Sequence, residues 1–253
     1  MILTDTARAG AGRTNGDRQR LARLAGLLYG MMGLTGAFTL IVLPRLLAAR
    51  GAGVGSSIAA NAGLYRFGIL VDLSTSVFAI WMAVILCEMF QDVHRLQARL
   101  MVGFAFGMAA AGLVGTLALA APLAAPLVVS SDAGRAARLD AVERDAFAAL
   151  LWSIRLQAIR VATMYWGVWL VPLGSLVRRC GFLPRILGTL LLVAGWSYVI
   201  SAIAYFVAPQ LASTIATAAM LPQGVGEAGF VGWLLVRGVS VSAAAVDDAT
   251  LRN

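Results

Sequence analysis

Lysine is absent from this 253-residue chain: all 20 basic residues are arginines. Histidine occurs once, at His94, and cysteine twice, at Cys87 and Cys180. So small a set offers no ligand combination for zinc, haem or an iron–sulfur cluster, and no cofactor is expected, although a metal site built from carboxylates alone stays open. Charged residues of either sign make up 13% of the chain, against about 25% in soluble domains. Arginine without lysine, beside abundant Ala and Gly, has the character of a GC-rich bacterial genome. The formal charge of +8 raises nucleic acid as a partner. The arginines, however, are scattered in ones and twos between apolar segments instead of being gathered with aromatics on one face, which argues against that partner. No stretch has the pattern of a nucleophile elbow or a phosphate-binding loop.

What the chain has in quantity is apolar sequence: 60% of its residues are hydrophobic and its mean hydropathy is +0.84. A helix crosses the hydrocarbon core of a bilayer in about 20 residues. Apolar segments of that order recur at 24–46, 64–90, 100–124, 158–177, 186–208 and 220–241. The expected fold is all-α, a polytopic membrane protein built as a bundle of six transmembrane helices spanning 23–241. It is preceded by a basic tail over 1–22 and followed by a short tail over 242–253. The first span is too long for the apolar region of a signal peptide and reads as a retained helix. Between the third and fourth spans, "SSDAGRAARLDAVERDAFAALLWSIRLQ" reads as a charged amphipathic helix leading into the membrane. Connections elsewhere are short, with a loop expected near Pro209 to Pro222.

Orientation follows from arginine placement. With both termini inside, twelve arginines lie on the cytoplasmic side and eight on the other, which favours a bacterial cytoplasmic membrane protein with both tails in the cytoplasm. Both cysteines then lie at or near the reducing face, in keeping with the absence of a disulfide.

Lipid tails are as apolar as leucine, so helices in a membrane associate through small residues and interhelical polar contacts. Gly103, Gly107, Ala111 and Gly115 recur every four residues on the third span, and Gly224, Ala228 and Gly232 on the sixth. Both stripes are expected to let backbones approach. "RLAGLLYGMMG" and "RILGTLLLVAG" open the first and fifth spans alike, and the helix after each carries one acid, which leaves a faint internal duplication open.

Those acids, Asp72 in "GLYRFGILVDL" and Glu227 in "GEAGFVGWLL", are the candidate site. Gly68, Thr75, Ser76, Ala79 and Ala83 share a helical face with Asp72, so that face should point into the bundle. Counted from the span starts, Asp72 lies roughly 12 Å in and Glu227 roughly 9 Å in from the same side, comparable depths that would let them converge. An intramembrane carboxylate is a functional-site hypothesis by default. The expected ligand-binding set is Arg66, Asp72, Arg160 and Glu227, with the two arginines as counter-charges, around an outward-facing pocket for a small amphipathic or lipidic molecule. Asp72 and Glu227 are also the candidate catalytic acids of an alternative reading, in which a protonated carboxyl initiates chemistry on an isoprenoid-like lipid. A third reading makes the protein an accessory or regulatory subunit docked through its arginine-rich turns. The structural alternative pairs the acids with arginines or hydroxyls solely to hold helices together. Tyr29, Tyr198 and the tryptophans Trp81, Trp166, Trp169, Trp196 and Trp233 read as packing or interface residues, and His94 as a solvated turn residue.

"GLYRFGILVDL", "GFLPRILGTLLLVAGWSYVISAIA" and "GEAGFVGWLLVRGV", in that order, resemble the bacterial six-helix membrane proteins of the domain-of-unknown-function family 4386, from about Arg23 to Val239. The resemblance implies six transmembrane helices and places Arg66, Asp72, Pro184, Arg185 and Glu227 at the family's recurrent positions, without implying an activity. Members often carry a histidine near the start of the fourth helix. Gln157 stands there in this chain, so a histidine-dependent proton relay is not expected.

Overall fold

The computed structural model describes residues 15–48, 58, 61–129 and 140–239. Most of the basic tail, the C-terminal tail and the first part of the charged segment before the fourth span lie outside them. The chain forms helices α1 (Asn15–Ala37), α2 (Leu43–Ala48), α3 (Ala62–Phe90), α4 (Arg95–Val129), α5 (Ala141–Arg179), α6 (Arg185–Val207) and α7 (Pro209–Val236), with no strand among the described residues. The segment running from α1 through α2, together with α3, α4, α5 and α6, is long and apolar enough to cross a membrane. α7 is as long, but Pro222, Gln223 and Glu227 interrupt its apolar run. The protein is an all-α, multi-pass membrane protein. Each long helix packs on the next, and α1 closes the ring against α7.

α1 and α2 are one broken helix. Pro44 has no N–H to give the carbonyl four residues back, and its ring crowds that carbonyl. The preceding turn, Phe38–Val42, widens to a π-helix in which the Leu43 N–H reaches the Phe38 carbonyl. The extra residue turns Leu43 into a notch at Gly68, where it is buried with Tyr65 and Leu119. The α5 N-terminus is closed by a capping box: the Asp140 carboxylate accepts from the Glu143 N–H and the Glu143 carboxylate accepts from the Asp140 N–H, both at 2.8 Å.

α5 and α6 interlock through glycines. A methyl group at Gly167 would stand 2.7 Å from the Gly195 carbonyl oxygen, and one at Gly174 would stand 2.7 Å from that of Gly188. The glycine stripes noted in the sequence behave less uniformly. Gly107 and Gly115 do receive neighbours, Tyr165 and Ala158, whereas Gly103, Gly224 and Gly232 meet nothing within 4 Å. On α7 the closely packed glycine is Gly226, against Ala194 and the Leu190 carbonyl. The expected loop between Pro209 and Pro222 is instead helix, since a proline in the first turn starts a helix well and only Ala208 separates α6 from α7.

The end of the bundle holding the α3–α4 and α5–α6 turns carries Arg18, Arg95, Arg178 and Arg179 and is called the basic end below. There Phe90 stacks on Phe182 with centroids 5.7 Å apart, Arg18 lies over the Phe182 ring, and Gln19 ties α1 to α7. The Gln19 amide donates to the Arg237 carbonyl at 3.2 Å and accepts from the Val239 N–H at 2.8 Å. Gly238 has φ +65° and its Cα sits against the Gln19 amide, so both conformation and space call for glycine here.

Candidate functional site: a cavity with two polar poles

Inside the ring lies a cavity of about 680 Å3, lined from α1, the π-helical turn, α3, α4, α5, α6 and α7. Its middle is walled by small and apolar residues, among them Gly36, Ala79, Met108, Ala109, Ile159 and Ala162. Each end carries a carboxylate.

At the pole away from the basic end, Asp72 receives a bidentate fork from Arg155: Nη1 donates to Oδ2 and Nη2 to Oδ1, both at 2.9 Å. The Thr116 hydroxyl donates to Oδ2 at 2.5 Å, and Arg155 also donates to the Gly115 carbonyl at 3.4 Å. The Arg155 side chain is 3% exposed and that of Asp72 13%. Two parallel charge-assisted bonds are the strongest arrangement such a pair can adopt. Thr75, one turn below Asp72, donates to the Thr35 hydroxyl at 2.8 Å, extending the polar contact from α3 to α1.

At the other pole three neutral donors from three helices meet Glu227. The Tyr29 hydroxyl and the Trp166 indole N–H donate to Oε2 at 2.6 and 3.0 Å, and the Tyr198 hydroxyl donates to Oε1 at 2.6 Å. The rings surround the acid as a cluster, with Trp166 6.4 Å from Tyr29 and 6.3 Å from Tyr198 between centroids. Among the described residues no arginine pairs with Glu227.

The two acids therefore share a cavity, but at different levels. Arg155 and Trp166 lie eleven residues apart on α5, so the poles are separated by about 16 Å along the bundle. The comparable depths expected from span starts are corrected because α7 begins at Pro209, which puts Glu227 within nine residues of the α7 end at Val236. That is about 14 Å from the basic end, whereas Asp72 lies about 27 Å from the α3 end at Phe90.

The expected counter-charges are elsewhere. Arg66 is exposed, and so is Arg160, whose guanidinium lies 4.6 Å from the centroid of the Tyr205 ring; neither lines the cavity. Helix geometry explains both. Six residues from Asp72, Arg66 points roughly 120° away, and five residues from Arg155, Arg160 points about 140° away. The face of α5 that does line the cavity runs Arg155, Ile159, Ala162, Trp166, a helical period the sequence displays. The aromatic donors were read as anchors, and Trp81 and Trp196 do lie on the outer surface. Tyr29, Trp166 and Tyr198 instead bond to an acid on another helix.

The cavity has a side opening. α1 and α7 are in contact at the basic end, where a methyl at Gly26 would meet Leu234 at 2.9 Å, and still meet at Gly30 and Val231. Beyond that level Gly33 and Gly224 face nothing within 4 Å. Gly33, Leu34, Gly224 and Ala228 line the cavity and are exposed on the flank of the bundle. Leu40, Met220 and Leu221 border the gap on a face of exposed apolar side chains.

Compared with known proteins, residues 24–238 match the family model described as Domain of unknown function (DUF4386). No curated protein and no solved structure matches the chain. The match extends over most of the sequence, and the chain belongs to that family.

Proposed function

We propose that this member of the DUF4386 family binds, or moves between membrane and cavity, a small amphipathic or lipidic molecule. The observation that carries the reading is the cavity itself. Its volume of about 680 Å3 lies in the usual range of ligand sites, about 300–1,000 Å3, and it combines a mainly apolar wall with a few convergent polar groups. Its flank opens between α1 and α7, where lipid tails would lie. Glu227 is the binding acid in this reading, and the Asp72–Arg155 pair closes the far pole. Arg66 and Arg160, both exposed, would act at the surface near the cavity and not as its lining. The basic end faces the cytoplasm of a bacterial cell, with both termini on that side and the far pole toward the outside.

Acid-initiated chemistry draws less support. Both Asp72 oxygens are engaged by a guanidinium, and all three neighbours of Glu227 offer it hydrogens. Docking to a protein partner has no specific contact in its favour.

The test is to extract the protein from its native membrane in detergent-free lipid discs and identify the co-purifying small molecules by mass spectrometry. Wild type is compared with Gly224→Phe, which fills the gap, and with Glu227→Gln. One species enriched in wild type and depleted in both variants supports the proposal. Bulk lipid alone, identical in all three, refutes it and directs attention to protein partners.

A further inference from the structure

The two poles differ in who supplies the positive charge. At Asp72 the chain provides its own cation, Arg155. At Glu227 the described chain provides three neutral donors and no cation. A carboxylate in the membrane interior is costly and normally pairs with an opposite charge. Neutral donors offset part of that cost and leave the charge itself unbalanced.

We infer that the molecule held in the cavity is a cationic amphiphile, its ammonium head set against Glu227 among the Tyr29, Trp166 and Tyr198 rings and its tail along the apolar wall. This rests on the reading of the cavity as a ligand site and specifies its ligand class. Four features fit an ammonium head. Glu227 Oε1 accepts one hydrogen bond from Tyr198, so it keeps acceptor capacity for another donor. The Tyr29 and Tyr198 hydroxyls donate to the acid, so their oxygen lone pairs remain available to a cation. Trp and Tyr rings attract alkylammonium groups, more strongly where water is excluded. The wall between the poles presents Ala79, Met108 and Ala162 to a tail. An anionic head finds the reverse arrangement, a carboxylate at this pole and an arginine already committed to Asp72 at the other.

The experiment uses full-length protein in lipid discs and three tritiated probes with the same twelve-carbon tail: dodecylammonium, dodecyl maltoside and dodecyl sulfate. The chain as a whole carries a formal charge of +8, so non-specific attraction would favour the sulfate. A preference for the cation must therefore come from a local site. The expected result is saturable binding of the ammonium probe about tenfold or more tighter than the sulfate. That preference collapses in Glu227→Gln while maltoside binding is unchanged. It persists in Tyr198→Phe, which keeps the charge and removes one donor. The wild-type comparison needs no variant, so a folding defect in either substitution cannot mask the answer. Equal affinity for the three probes overturns the inference and leaves the ligand-cavity reading standing. Saturable binding of none overturns both, and a cation preference that survives Glu227→Gln places the cation elsewhere and overturns the assignment.

Discussion

Replacing Asp72 by Asn removes one charge and almost no volume, and it isolates the Arg155 guanidinium. The side chain of Arg155 is 3% exposed and its two terminal nitrogens both bond to Asp72, which leaves the Gly115 carbonyl, at 3.4 Å, as its other acceptor among the described residues. Breaking a buried ion pair from one side costs about 3–5 kcal/mol, two to three and a half decades in the folding equilibrium. Loss of an ordinary interhelical hydrogen bond between membrane helices averages only about 0.6 kcal/mol, so the two accounts of this contact are well separated. Reversible unfolding in mixed micelles, followed by tryptophan fluorescence, should show the full loss in Asp72→Asn and a similar one in Arg155→Met. The double variant, with neither charge, should recover about 2 kcal/mol or more relative to the sum of the singles. If each single variant costs less than about 1 kcal/mol and the two add, the fork is not holding α3 to α5, and Asp72 returns to the list of free pocket acids.

Glycine substitutions should divide sharply. Gly195→Ala drives a methyl to within 2.9 Å of the Gly167 carbonyl and should lower stability by about 1–3 kcal/mol, read as a drop in Tm. Gly103→Ala, with open space around it, should leave Tm unchanged or raise it slightly. Gly238→Ala combines the positive φ with a collision at Gln19 and should cost about 1–2 kcal/mol; an unchanged Tm would show that the Gln19 tie is dispensable. Burial pushes the Cys180 thiol above the ordinary cysteine range. Its maleimide labelling in permeabilised cells should therefore be slow at neutral pH and climb only as the medium becomes more alkaline than an ordinary thiol requires. In intact cells an impermeant maleimide should leave Cys180 unlabelled, and labelling there would reverse the proposed orientation.

The helices were legible because lipid leaves backbone groups no partner outside the helix, so each span must be written as one long apolar run. The α6–α7 turn was misread because Pro209 and Pro222 are loop signals in water. In this bundle one starts α7 and the other sits inside it. Asp72 and its small-residue face could be found by periodicity, whereas the enclosure of both acids in one cavity was expected from comparable depths that the start of α7 at Pro209 overturns. Arg155 could not be assigned from span edges: it lies on a helix 39 residues long, well beyond the stretch a bilayer demands. Tyr29, Trp166 and Tyr198 were indistinguishable in sequence from interfacial anchors, because only the three-dimensional arrangement shows that they converge on one acid. Depth was the least legible quantity, since it depends on where α7 begins.

The Gln19 tie at the basic end has a mechanical consequence. α1 and α7 are fastened to one another beside Gly238, touch through Gly26, Leu234, Gly30 and Val231, and then part. Past that level α1 is held to α3 instead, where Thr75 donates to the Thr35 hydroxyl at 2.8 Å and Leu43 fills the notch at Gly68. The side chains Leu34, Leu40 and Leu221 are apolar and exposed. Acyl chains are as apolar as these and can cover them almost without loss. The seam between α5 and α6 leaves no such opening, because there backbone meets backbone. The ring is thus shut by its own glycines on one side and left for lipid to shut on the other.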